Sequence, residues 1–230
     1  MLDGLKTSLK KLERRMRTSF GDDISTPRQR RQALWHFHLF DHAWLRTFWT
    51  NFDKVADGVY RSNHPGPARL QKYKDMGIKA ILNLRGRDGG YSPWLFEEEA
   101  CRELGIELRV AKIYARRPAT REEMLNLIQA LKTTPKPFVI HCKSGADRAG
   151  LASVIYLIVV EKLPVEEARK HLSFRYLHIK SSKTGICDHI IDEYAKAQAE
   201  TGIDMEDWFA NVYDKDAMQR SYDARKGKAA

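Results

Sequence analysis

Residues 136–161 restrict the fold more than any other part of the chain. Residues 136–141, Lys-Pro-Phe-Val-Ile-His, form a short apolar run that suits a strand buried on both faces, and residues 149–161 are apolar over a length that suits a helix. Between them lie small and polar residues that can turn the chain sharply. A strand and a helix without a polar face must both sit inside a layered domain. The segments upstream keep the same alternation. Residues 58–61 are a short strand candidate, a turn follows at 63–67, and 68–76 read as a helix ending at Gly77. Residues 79–84 are β-rich and close on a glycine-rich turn at 88–90; 94–104 read as helix and 107–113 as strand. Thr120 and Glu123 have capping-box spacing for a helix that reaches Lys132. Strands alternating with helices at this spacing imply right-handed crossovers. The expected fold is therefore α/β, with a central, mostly parallel sheet of four to five strands flanked by helices.

In such a sheet ligands bind beyond the carboxyl ends of the strands, which directs attention to the loop of residues 141–150. Ser144, Gly145 and Ala146 are small enough to let the backbone curl, so that successive N–H groups face one tetrahedral anion. Cys142, at the floor of that cup, would face a helix N-terminus and a guanidinium, surroundings that favour a thiolate nucleophile. Arg148 can hold two oxygens of the anion in a fork, and Lys143 adds positive charge. A bare cysteine and arginine five residues apart is a weak signal. With His141 before, Gly145 within, Gly150 after, and apolar strand and helix on either side, it is a strong one.

The rest of the chain bounds the setting. Its 230 residues, 43% hydrophobic, suffice for one core with an extension. Residues 1–50 read as a basic and aromatic helical extension, 51–200 as the main domain, and 201–230 as a C-terminal helix or tail that frays from Tyr213. Leu2, Leu5, Leu9, Leu12 and Met16 recur at helical spacing among Lys and Arg, and Thr26-Pro27 starts a second helix running through Trp35 to Trp49. These helices either cover the main domain or, through residues 1–20, touch an anionic membrane surface. The net charge of +10 favours anionic partners, but nothing beyond charge points to nucleic acid, and none is expected. Cys101, Cys142 and Cys187 fit neither a disulfide framework nor a zinc pattern, and no secretory signal or spanning segment is visible, so the expected location is cytoplasmic, with peripheral membrane contact as the alternative.

At the loop the sequence resembles a known family. His141-Cys142-x5-Arg148 is similar to the signature of the cysteine-dependent protein tyrosine and dual-specificity phosphatases, and Val59-Tyr60-Arg61-Ser62 with residues 77–85 resembles the opening strand, helix and strand of their compact bacterial and atypical dual-specificity members. The resemblance covers residues 51–195. It implies hydrolysis of phosphate monoesters through a phosphocysteine at Cys142, with Arg148 on the phosphoryl group and Lys143, Ser144, Gly145 and Ala146 around it. His141 and Arg85 are expected to support the loop, and no cofactor or metal is implied. Arg61 ends its strand on the same side, where it could meet phosphate or a loop carbonyl.

Two positions depart from the family pattern. Ala149 stands where a hydroxyl usually assists breakdown of the phosphoenzyme, a role Ser144 could take. Residues 113–121 contain no aspartate, although the family's general acid usually lies there. Asp147, inside the loop, is the natural replacement; its alternative role is to orient Arg148 or Lys143. Glu122 and Glu123 are rivals. The substrate expected first is a phosphoprotein, then a phosphoinositide, lipid phosphate or inositol phosphate. Arg116, Arg117, Arg175 and Lys180 are candidates for recognising further phosphate. A non-catalytic phosphate-binding module is the third reading.

Overall fold

The computed structural model describes residues 22–41, 43–87 and 91–227. Five strands form one sheet in the order β1-β2-β5-β3-β4: β1 (Asp53–Ala56), β2 (Val59–Asn63), β3 (Ala80–Asn83), β4 (Glu107–Val110) and β5 (Phe138–Cys142). All neighbours run parallel except β1, which pairs antiparallel with β2 at the edge. The central strand, β5, is buried at every residue, as its unbroken apolar run requires. The α/β expectation holds, and strand starts and ends shift by up to three residues.

Alternation along β5 divides its side chains between two layers. Phe138, Ile140 and Cys142 join a large cluster with α4 (Arg121–Thr133), α5 (Asp147–Val159) and α6 (Ile186–Thr201), whereas Val139 faces the opposite cluster with α2 (Pro67–Asp75) and α3 (Ser92–Leu104). The same parity sets His141 on the α3 side. Thr120 caps α4 through the expected box, receiving the Glu123 N–H at 3.1 Å while Glu123 Oε2 accepts the Thr120 N–H at 2.7 Å.

Three segments differ from expectation. The aromatic helix expected from Pro27 to Trp49 is broken into α1 (Pro27–Trp35), a widened turn at His36–Phe40 and a single turn at Leu45–Phe48. The C-terminal segment is not frayed at Tyr213: α7 (Lys215–Arg225) buries Met218 and Tyr222, and Tyr213 is itself buried. Residues four apart lie on one helix face, and that face packs on the core. Strand β1 was not expected, because Asp-Lys-Val-Ala is half-exposed and carries no apolar alternation. The leucine-spaced segment of residues 1–20 and the turn at 88–90 lie outside the described residues. No described helix is long and apolar enough to cross a membrane.

Candidate active site

The loop between β5 and α5 owes its shape to four buried anchors on its outer side. The Lys143 carbonyl accepts the His64 N–H at 3.3 Å, and the Ser144 carbonyl accepts Asn51 Nδ2 at 3.0 Å. Arg61, fully buried, donates through Nη2 to the Gly145 and Ala146 carbonyls at 2.5 and 3.1 Å and through Nη1 to the His171 carbonyl at 2.6 Å. Burial lowers the Arg61 pKa to about 10, still charged at neutral pH. In a planar trans peptide the carbonyl and the following N–H point in opposite directions. Holding carbonyls 143–146 outward therefore turns the N–H groups of residues 144–147 toward the other side, an arrangement that can cradle an anion. Of the two contacts expected of Arg61, the structure makes the one to loop carbonyls.

Gly145 is required by two separate facts. Its φ is +74°, and a Cβ there would lie 2.7 Å from the Asn63 backbone nitrogen and 2.8 Å from Asn51 Cβ. Gly150 lets α5 pass the His171 carbonyl, which a Cβ would meet at 2.7 Å. Cys142 ends β5 with 2% exposure, and Arg148 in the first turn of α5 reaches back to the Leu84 carbonyl at 3.3 Å. Cys142, Lys143, Ser144, Gly145, Ala146, Asp147 and Arg148 thus share one loop and one helix start. Ala149 is fully buried in α5, and the Ser144 hydroxyl accepts the Ala146 N–H at 3.4 Å.

Asp147 is bound to His178. Its Oδ1 lies 2.7 Å from His178 Nδ1, while His178 Nε2 lies 2.6 Å from Asp188 Oδ2. Burial opposes the charge on His178, but Asp147 and Asp188 outweigh it and raise its pKa to about 9, so the imidazole is protonated at neutral pH and donates from both nitrogens. Of the rival acids, Glu123 is engaged in the helix cap and accepts the Tyr114 hydroxyl at 3.0 Å.

His141 supports the loop from below. Its Nε2 is 2.7 Å from Glu97 Oε1, and Asn83 donates to the other Glu97 oxygen at 2.5 Å. The His64 ring meets His141 edge-on, and its Nε2 is 3.2 Å from the Pro93 carbonyl; burial keeps His64 neutral. Ligand atoms of His64, Glu97 and His141 lie within 4.8 Å of one another, a set that could hold a metal ion. Two ligands on one tetrahedral zinc are roughly 3.3 Å apart, as bond lengths near 2.0 Å dictate, so the Glu97–His141 pair would have to part to admit one.

The extension brings in a residue that sequence reasoning missed. Asp41, 2% exposed, pairs with Arg46 at 2.6 Å, Arg85 at 2.8 Å and Lys143 at 3.3 Å, and accepts the Tyr91 hydroxyl at 3.0 Å. Burial alone would raise its pKa; Arg85, Arg46 and Lys143 together hold it far below the usual carboxylate range. Arg85 is thus committed to Asp41 and Tyr91 rather than to a loop carbonyl. Three cations against one carboxylate leave the cluster positive; Arg46 and Arg85 are buried in it, and the Lys143 side chain, 40% exposed, presents that charge at the rim. Arg117 lies over the Tyr114 ring, Arg175 pairs with Asp53, and Lys180 approaches Asp188 and Asp192.

A cysteine and an arginine bracketing an N–H-lined loop, at the carboxyl end of a central parallel strand, define the class of the cysteine-dependent phosphatases. The comparisons agree. The pattern of the tyrosine phosphatase family matches residues 50–168, just over half of the chain, and the chain belongs to that family. The inositol diphosphatase DSP3 of Arabidopsis thaliana is 28% identical over 112 residues, which are 44% of this chain and 50% of that protein, so the chain spans about half the length of the curated relative it matches. Among solved structures, P. aeruginosa TpbA superposes with a TM-score of 0.51 at 18% identity, over 65% of this chain and 91% of that one. The core catalytic domain of the PP-IP phosphatase SIW14 from S. cerevisiae gives 0.50 at 16% identity, over 66% and 93%. Both likenesses concern the fold.

Proposed function

We propose that the chain hydrolyses phosphate esters borne on an inositol or lipid headgroup, through a phosphocysteine at Cys142. The observation that carries this reading is the outward anchoring of carbonyls 143–146, which turns the following N–H groups toward a phosphoryl group held above Cys142, with the Ser144 hydroxyl on the Ala146 N–H until the anion takes its place. Cys142 Sγ attacks phosphorus, an S–P bond forms, and the P–O bond to the leaving group breaks. Asp147 delivers the proton to the departing oxygen, drawing on His178 across 2.7 Å. Water then attacks phosphorus as Asp147 takes its proton and returns it to His178; the S–P bond breaks, releasing inorganic phosphate and the thiolate, while Arg148 follows the charge on the equatorial oxygens. Ala149 cannot assist this second step, and Ser144 is the nearest hydroxyl in the loop. Lys143 at the rim, backed by the net positive charge of the buried Asp41 cluster, favours a substrate with more negative charge than one phosphoamino acid, in keeping with the relative named as an inositol diphosphatase.

Phosphotyrosine is the second reading, favoured by the family match itself. A phosphate-release panel of phosphotyrosine peptide, phosphoserine peptide, phosphoinositides and inositol phosphates, with Cys142→Ser as blank, separates them. Turnover fastest on phosphotyrosine peptide would overturn the headgroup assignment. Asp147→Asn should slow an alkyl phosphate far more than an aryl phosphate, and equal losses would remove Asp147 as the acid.

A further inference from the structure

Two segments that expose apolar side chains are tied to the phosphate loop through Asn51. The first holds Trp44, Phe48 and Trp49; the second holds Phe174, Leu177 and Ile179. Phe48 is 86% exposed and Phe174 72%, values at which an aromatic side chain gains nothing from the fold it belongs to. Asn51 joins the two segments and the loop: its Nδ2 donates to the Tyr176 carbonyl at 2.9 Å and to the Ser144 carbonyl at 3.0 Å. Asn63 Nδ2 ties the Trp49 carbonyl to the end of β2, and Arg175 and the Tyr176 hydroxyl both hold Asp53 at 3.0 and 2.6 Å. The exposed side chains are therefore mounted on backbone fixed to the rim of the site. Leu177 is held at φ +58°, a conformation that costs a non-glycine residue on the order of 1 kcal/mol, and its apolar side chain is nonetheless exposed.

Charge identifies what such a surface fits. Residues 169–183 carry Arg169, Lys170, Arg175, Lys180 and Lys183 and no Asp or Glu of their own. Arg169, Arg175 and Lys180 meet Asp192, Asp53 and Asp188 from neighbouring elements, yet the Arg175 and Lys180 side chains stay 72% and 56% exposed, and Lys170 and Lys183 are exposed as well. Exposed cations on the second segment beside exposed apolar side chains on both suit the headgroup layer of an anionic bilayer, where rings lodge at the interface and cations meet lipid phosphate. A second copy fits poorly, because the chain carries +10 and would bring like charge against like. We propose that Trp44, Phe48, Trp49, Phe174, Leu177 and Ile179 dock the catalytic mouth on an anionic lipid surface, so that the scissile phosphate is taken from a headgroup in the plane of the membrane. The second half of this statement rests on the headgroup reading above; the docking half does not.

The test is flotation of the full chain with vesicles of phosphatidylcholine alone or mixed with phosphatidylglycerol, for the wild type and for Phe48→Glu/Phe174→Glu, alongside turnover of a soluble aryl phosphate. The wild type should float with the mixed vesicles and not the neutral ones. The double variant should bind at least about tenfold more weakly while hydrolysing the aryl phosphate at the wild-type rate. In the wild type, brominated lipid in the mixed vesicles should quench tryptophan fluorescence, a readout independent of any variant. Absence of flotation and quenching, or a variant that floats as well as the wild type, would overturn the proposal. So would light scattering that shows a wild-type dimer split by the variant, since the patch would then join two copies. Loss of aryl phosphate turnover in the wild type would instead refute the catalytic reading and leave docking to be decided by flotation.

Discussion

Replacing Arg61 by lysine keeps the positive charge behind the loop and removes the fork. The guanidinium uses two nitrogens in different directions, one on the His171 carbonyl and one on the carbonyls of Gly145 and Ala146. An ammonium is a point donor on a flexible stem, so it can serve one side and leaves one or two buried carbonyls without a partner. Each buried acceptor left unpaired costs about 1–3 kcal/mol. Loss of the guanidinium stacked 3.7 Å over the Tyr176 ring adds about 0.5–2 kcal/mol. The sum, roughly 1.5–8 kcal/mol, is a large share of the 5–15 kcal/mol typical of a domain. Urea denaturation should show most of it, and the variant that remains folded should bind inorganic phosphate about tenfold more weakly as a competitive inhibitor, because a carbonyl freed to swing inward repels the anion. Arg61→Leu should be worse on both counts. An Arg61→Lys protein with wild-type stability and wild-type phosphate inhibition would refute the claim that carbonyl anchoring shapes the cup.

Three further outcomes follow from the same geometry. Gly145→Ala should cost about 2–4 kcal/mol, from positive φ and from contacts under 3 Å with the backbone of β2, and should abolish phosphate inhibition; a fully active, stable variant would contradict the close approach. Asp41→Ala leaves Arg46 and Arg85 buried without their shared counter-charge and should destabilise by about 3–5 kcal/mol in urea, whereas a change under about 0.5 kcal/mol would mean that the cluster is not coupled. His178 has a folded pKa of about 9 against an ordinary 6.5, so its charged pairs stabilise fully below pH 6.5 and lose their effect as pH rises through 9. The stability gap between wild type and His178→Gln, on the order of 3 kcal/mol at pH 6, should shrink toward zero above pH 9; parallel pH profiles would show that the histidine holds no proton of that kind.

The parts of the site legible in the sequence are those made by neighbours in the chain. Cys142, Gly145 and Arg148 fall within one strand–loop–helix, so apolar runs and small residues reveal them together. Asp41, Asn51, His64 and Glu97 come from other elements and meet the loop only when the sheet brings them there. No local pattern marks a buried carboxylate that will meet three cations, although an aspartate inside an aromatic helix was a signal of unusual burial. Nothing local assigns His178 to the site, because its role depends on Asp147 and on Asp188, ten residues further on and across a turn. Helix α7 carries its own signal, since Met218 and Tyr222 share a face, but the high charge around them makes a frayed tail an equal reading of the sequence. Strand β1 was harder, since an antiparallel edge strand with half-exposed residues differs little in sequence from a loop.

The central claim is that phosphate passes through the sulfur of Cys142. Rapid acid quench of the full chain with excess aryl phosphate, followed by peptide mass spectrometry, tests it directly. The account predicts one phosphoryl group on the peptide that carries Cys142 during turnover, absent without substrate, and no turnover in Cys142→Ser. A phosphoryl group on another residue, or steady turnover in Cys142→Ser, would contradict it.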